Sequence, residues 1–260
     1  MKVVEMMSRD PLYVEENDFA TKARQLIRDH HVRGLPVLNS DGMVRGIVTD
    51  RDMLMITSTR SNLDVAGLTV DVPLITEDMD IMDAARIMLN EKAALLPVVH
   101  SRESPSLKGV VSLLDIFGKL DLDKVPRKKI EEVMSKNVVV STPDEPVTKV
   151  WDKMLESDFT GLPVLDNGKP MGMITRFDIL KRGWARLGKE DPAKSRNMTK
   201  LRVEKLMSTP LFSVSPEGTI REAIEFMLKH EVGRVSVVEN EKLVGIVDRY
   251  DIIKAVLGED

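Results

Sequence analysis

One short pattern occurs four times in this 260-residue chain and constrains its architecture more than any other feature. It is a glycine, two apolar residues, three variable positions and an aspartate. It reads Gly46-Ile-Val-Thr-Asp-Arg-Asp52, Gly109-Val-Val-Ser-Leu-Leu-Asp115, Gly172-Met-Ile-Thr-Arg-Phe-Asp178 and Gly245-Ile-Val-Asp-Arg-Tyr-Asp251, with glycines 63, 63 and 73 residues apart. Repeats at such an interval mean that each copy is one supersecondary unit, and that the copies bury their apolar faces against one another. Further landmarks keep the register. Met7-Ser8, Leu68-Thr69, Met134-Ser135 and Met207-Ser208 open the units, while Leu35-Pro36-Val37, Leu96-Pro97-Val98, Leu162-Pro163-Val164 and Val235-Ser236-Val237 precede each glycine.

Each unit reads as β-α-β-β-α. A short apolar segment comes first (Leu12-Tyr-Val, Pro73-Leu-Ile, Val138-Val-Val, Leu211-Phe-Ser-Val), then polar turn residues such as Thr142-Pro-Asp-Glu. An amphipathic helix follows. Ile81, Ala84, Ala85, Met88 and Leu89 fall on one helical face, as do Val147, Val150, Trp151, Met154 and Leu155, and again Ile220, Ala223, Ile224, Met227 and Leu228. The first unit is less regular, with Arg24 and Arg28 at matching positions. Two strands and a second helix opening near the repeated aspartate complete the unit. The expected units are 1–57, 63–120, 128–187 and 201–258, in an α/β (α+β) repeat fold. Ser101 to Ser106 reads as a loop insertion, and Trp184 to Lys200 as a helical extension plus a surface connection.

Composition narrows the function. A net charge of −4 gives no reason to expect nucleic-acid or membrane-surface binding. With no cysteine, disulfides, thiolate zinc sites, iron–sulfur clusters and cysteine nucleophiles are excluded, and a cytoplasmic location is expected. No apolar run approaches the ~18 residues of a membrane span, and Glu5 interrupts any signal-like stretch at the N-terminus.

The chemistry lies in Thr49-x-x-Asp52, Ser112-x-x-Asp115, Thr175-x-x-Asp178 and Asp248-x-x-Asp251. Each follows an apolar strand and opens a helix, where free N–H groups and the helix dipole favour an anion. An aspartate one turn in offers two acceptor oxygens, which suit a vicinal ribose diol. The same spacing is nearly a capping box, in which the third helical residue bonds back to the cap. The motif alone leaves a ribonucleotide pocket and a plain helix cap both open.

The fourfold Gly-apolar-x-[Thr/Ser]-x-x-Asp pattern with its preceding Leu-Pro-Val strand resembles the CBS (cystathionine-β-synthase) domain, and the resemblance covers nearly the whole chain. It implies that the units pair about pseudo-twofold axes into two Bateman modules, 1–120 and 128–260. Each module would have two clefts for adenosine-containing ligands such as AMP, ADP, ATP, S-adenosylmethionine or methylthioadenosine. The four-repeat layout is also similar to the nucleotide-sensing γ subunit of AMP-activated kinase, in which two modules form a flat disc. A self-contained disc or a homodimer, and a regulated protein partner, are the implied associations.

The resemblance also implies which residues face each other. Asp115 would face Leu12, Val32, Arg33 and Gly34. Asp178 would face Leu211, Val232, Gly233 and Arg234. Asp52 would face Val72, Ala93 and Ala94, and Asp251 would face Val138, Phe159, Thr160 and Gly161. On that basis the clefts of Asp115 and Asp178 each gain an arginine for phosphate and are the expected best sites. Arg51, Arg176 and Arg249, within the motifs, are further phosphate candidates. Asp248 puts a negative charge where the other units have a hydroxyl, so the Asp251 cleft is expected to be empty or to take a ligand with little charge there.

The leading expectation is a non-catalytic regulatory sensor with no catalytic cofactor and no metal. The alternatives are a ligand-free scaffold, whose motifs serve only as caps, and an enzyme processing nucleotides. The chain has no Gly-rich phosphate loop, metal-ligand cluster or nucleophile–base pair to support the last. His30 and His230, at matching helix ends, read as dipole partners, and the 16 methionines read mostly as core.

Overall fold

The computed structural model describes residues 1–55, 62–181 and 200–259. Trp184 and the extension read between 184 and 199 lie outside them. The apolar alternation and helical stripes of the sequence form four similar units. Unit one comprises β1 (Val14–Glu15), α1 (Ala20–His30), β2 (Gly34–Leu38), β3 (Val44–Thr49) and α2 (Asp50–Met55). Unit two comprises β4 (Ile75–Thr76), α3 (Ile81–Asn90), β5 (Leu95–Val99), β6 (Leu107–Ser112) and α4 (Leu113–Gly118). Unit three comprises α5 (Val147–Glu156), β7 (Gly161–Asp166), β8 (Lys169–Thr175) and α6 (Arg176–Lys181). Its opening segment forms a single parallel bridge, Ser141 to Val164, in place of a strand. Unit four comprises β9 (Ser213–Val214), α7 (Ile220–Lys229), β10 (Arg234–Glu239), β11 (Lys242–Asp248) and α8 (Arg249–Leu257).

The sheets share one register. The opening strand runs parallel to the second, Val14 opposite Val37, Ile75 opposite Val98 and Val214 opposite Val237. The second and third strands are antiparallel, with an irregularity after Val37, Val98, Val164 and Val237. The repeated glycines sit in that third strand because another backbone passes against them. A Cβ on Gly46 would collide with the Val70 carbonyl, on Gly109 with that of Ser8, and on Gly172 with that of Ser208. The bridges Ile47–Val70, Ser8–Val110, Met173–Ser208 and Ser135–Ile246 run beside these contacts and join unit one to two and unit three to four.

The segment that opens each unit does not pack on its own unit. Val3 N donates to Met79 O and Ile81 N to Met1 O, so the first residues cover α3 of unit two. Conversely, Ala20 N donates to Leu63 O and Val65 N to Asp18 O, so the next segment covers α1. Units three and four exchange in the same way, through Ile130 N to Gly218 O and Val203 N to Glu145 O. Each exchange inserts one fully buried residue, Val3, Val65, Ile130 or Val203, into its partner's core.

The helices pair the units differently. One core merges units one and three, with Ile27, Leu54, Trp151, Met154 and Leu180. The other merges units two and four, with Met88, Phe117, Met227, Ile252 and Ile253. Sheets therefore join one to two and three to four, while helices join one to three and two to four, closing a ring of contacts. In units one, three and four the residue two places after the capping position reinforces the second set. Arg51 pairs with Asp158 at 3.2 Å, Phe177 stacks on His31 with ring centroids 4.4 Å apart, and the Tyr250 hydroxyl donates to Lys92 O at 3.3 Å. Asp158, His31 and Lys92 all hold the positive φ that ends a unit's first helix.

Candidate functional site

The four motifs build four helix starts of one geometry. Thr49 N and Oγ1 donate to Asp52 Oδ2 at 2.7 and 2.6 Å. Ser112 makes the same pair to Asp115 Oδ2 at 2.8 and 2.6 Å, and Thr175 to Asp178 Oδ2 at 2.8 and 2.6 Å. In unit four, Asp248 N donates to Asp251 Oδ2 at 2.9 Å, and Asp248 Oδ1 accepts from Tyr250 N and Asp251 N. The cap bond back to the strand end is present in every copy, and among the described residues it engages only Oδ2 of each aspartate. Because the hydroxyl proton is given to the aspartate, Thr49, Ser112 and Thr175 are set to accept a further hydrogen bond rather than donate one.

A cavity of about 960 Å³ runs from the first of these helix starts to the last. At one end Asp52 and Thr49 line it together with Val72, Ala93 and Ala94. At the other, Asp251 lines it with Val138, Phe159, Thr160 and Gly161. These are the residues the resemblance sets opposite the two aspartates. Arg33, Asp50, Arg51, Asp158, Arg176 and Arg234 line the stretch between.

That middle stretch is a charge network. Asp50, only 6% exposed, receives Arg33 Nε at 3.2 Å and Arg176 Nη1 at 3.4 Å. Arg176, 3% exposed, also donates to Asp158 Oδ1 at 2.6 Å and to Met154 O at 3.2 Å, leaving its Nε without a partner among the described residues. Arg234 bonds the Thr160 hydroxyl and Gly161 O and lies 3.8 Å from Asp248 Oδ2. Arg249 donates to Val232 O and lies over the Phe117 ring of unit two at 5.5 Å. Burial lowers the pKa of both Arg234 and Arg249. Burial, followed by the neighbouring Asp248 charge, pushes the Asp251 carboxyl up to about 7, and burial raises the Tyr250 phenol to about 12.

Arg33 and Arg234, which the resemblance sets opposite Asp115 and Asp178, line the cavity of Asp52 and Asp251. The reason is local: each finds a carboxylate at the nearest helix start, Arg33 at Asp50 and Arg234 at Asp248. Arg176, read as a phosphate candidate, is already engaged by two carboxylates and a carbonyl. Leu12, Val32, Gly34, Ser112, Asp115, Thr175, Asp178, Leu211 and Gly233 do not line this cavity. Val32 packs against the core of units one and three, and Gly233 O accepts Arg249 N. Sequence reasoning passed over Asp50, Asp158 and Tyr250. Their signal was positional, since Asp50 follows a capping residue as Arg176 does, and Asp158 ends a helix as His31 does.

Among the described residues no group of three or more His, Asp or Glu could hold a metal, and no helix is long and apolar enough to cross a membrane. The family model for the CBS domain matches residues 3–58, 64–121, 130–184 and 203–258. An uncharacterized protein of Methanocaldococcus jannaschii, MJ1404, is 27% identical over 268 residues, covering 98% of this chain and 61% of its own length. The chain thus spans under two thirds of that relative. A second uncharacterized protein of that organism, MJ1225, is 24% identical over 257 residues, with 90% of each chain covered. The crystal structure of MJ1225, described as a candidate archaeal homologue of γ-AMPK, has a TM-score of 0.85 over 98% of this chain and 99% of its own at 23% identity, which shows a common fold.

Proposed function

Since this chain belongs to the CBS-domain family, with four copies along its length, we propose that it is a non-catalytic sensor of adenosine-containing ligands that acts on a protein partner. The supporting observation is the cavity of about 960 Å³ with a helix-start aspartate at each end and arginines between. A ribose at the Asp52 end would donate its hydroxyls to the spare Oδ1, an apolar wall of Val72, Ala93 and Ala94 would take the base, and Arg33 and Arg51 would meet phosphate. Asp115 and Asp178, with Ser112 and Thr175, carry the same acceptor geometry and are proposed as further ribose sites. At the Asp251 end, Arg234 offsets part of the Asp248 charge, and a ligand with little negative charge fits best. Candidate ligands are AMP, ADP, ATP, S-adenosylmethionine and methylthioadenosine, and the protein works in the cytoplasm. A ligand changes the partner only if it favours one arrangement of the two modules, and the charge network joining units one and three is where that preference would act.

Mass spectrometry of small molecules released from the purified protein tests the reading. An adenosine compound near one equivalent or more is expected. Release of none, with no thermal shift from any of the five candidates, would leave the scaffold reading in its place, because a ligand that binds the native state stabilises it.

A further inference from the structure

We propose that unit three carries a second, separate binding site, for a small molecule bearing a carboxylate or phosphate group. A cavity of about 580 Å³ lies between the start of α5 and residue 202, and shares no lining residue with the central cavity.

Unit three departs from the repeat here. By strand register Ser141, paired with Val164, stands where the other units have Val14, Ile75 and Val214. It is 1% exposed, so a hydroxyl replaces a core aliphatic. By helix register Lys153, just before buried Met154, stands where the others have Leu26, Ile87 and Phe226. The two polar residues are tied together by a third. Ser141 Oγ donates to Glu145 Oε2 at 2.6 Å, Lys153 Nζ lies 2.8 Å from Glu145 Oε1, and Lys153 Nζ donates to Val140 O at 3.2 Å. A partly buried ionic cluster adds little stability over apolar side chains of similar size, and at the Ser141 and Lys153 positions the other three units show that apolar residues suffice, although unit one also has a carboxylate, Asp18, at the position of Glu145. The cluster therefore serves something other than packing.

Its charge balance indicates what. Both Glu145 oxygens are taken, and Asp144 accepts the Thr142 hydroxyl at 2.6 Å. Glu145 is thus engaged through both oxygens and Asp144 through one. Among the described residues, Lys149 and Arg202 line the same cavity with no hydrogen bond or ion pair from their side chains, although the Arg202 charge helps lower the Asp144 pKa. Lys149 and Arg202, beside the Lys153–Glu145 ion pair and with Asp144 as the one unpaired carboxylate, leave the cavity with one net positive charge and form a receptor for an oxyanion, with Arg202 suited to bidentate contact and Lys149 to a point charge.

The test is site-resolved acetylation of lysines by acetic anhydride, read by mass spectrometry, with inorganic phosphate and succinate as separate millimolar additions. Either anion is expected to slow acetylation of Lys149 at least threefold relative to Lys108, and Arg202→Gln to abolish that protection. Protection by phosphate alone assigns phosphate esters, and by succinate alone carboxylates. The variant Ser141→Ile/Glu145→Met/Lys153→Ile, which copies unit two, should keep its thermal midpoint and lose protection. The proposal is overturned if neither anion protects Lys149, or if protection persists in Arg202→Gln.

Discussion

At the scale of single residues, the repeated aspartate caps its helix with one oxygen, and the proposed ribose contact uses the other. Oδ2 caps the helix and Oδ1 is left over, so the capping and binding readings of the sequence are compatible. Arg33 is the residue that should discriminate between ligands. Arg33→Gln is expected to weaken ATP roughly tenfold, the scale of one charge-assisted hydrogen bond, while leaving methylthioadenosine unchanged in calorimetry. Equal losses for both would place the phosphate elsewhere. Asp251 makes a pH prediction. Its carboxyl has a higher pKa in the fold, about 7, than its ordinary 3.8. The folded state therefore binds that proton more tightly than the unfolded chain. The associated stability is complete below about pH 4 and lost as pH rises through about 7. Asp251→Asn removes this dependence, so its thermal midpoint should gain on the parent between pH 5 and pH 8. A constant difference across that range would contradict the assignment.

At the scale of elements, the charge network holds units one and three in one arrangement. Removing one partner of a buried ion pair strands the other. Arg176→Ala leaves Asp50 with Arg33 alone and should cost about 3–5 kcal/mol in urea unfolding, whereas Arg51→Ala, at an exposed pair, should cost about 1 kcal/mol or less. Much of the element structure was legible in sequence because it obeys local rules. The stripe of Ile81, Ala84, Ala85 and Met88 is a buried helix face, and Leu35 to Val37 a buried strand. The four cap positions were legible for the same reason. Two features were not. That Val3 fills unit two and Val65 fills unit one depends on where a segment's backbone finds partners, which nothing in its own residues encodes. The direction of Arg33 was equally hidden, since it is set by Asp50, which only the fold buries.

For the whole molecule, the two pairings place different demands on the chain. Exchange of opening segments makes a module the smallest unit with complete sheets. The helices of that module still need the other, because Ile27, Leu54, Met88 and Phe117 are buried in cores shared with units three and four. A fragment of residues 1–120 would expose that surface and is expected to self-associate, seen by light scattering as a dimer or larger species. A stable monomer at micromolar concentration would show that the helix faces contribute little to folding. The closed ring of contacts also explains how a ligand at one end of the central cavity could be felt at the other, since Asp52 and Asp251 face a common space crossed by residues of units one, three and four.

The central claim is that the paired units hold adenosine ligands through these aspartates. The direct measurement is calorimetry of AMP and of ATP on ligand-stripped protein, comparing the parent with Asp52→Ala/Asp251→Ala. Saturable binding in the parent, weakened at least tenfold or reduced by one or more sites in the variant, is the predicted result. Identical isotherms for the two proteins would contradict it.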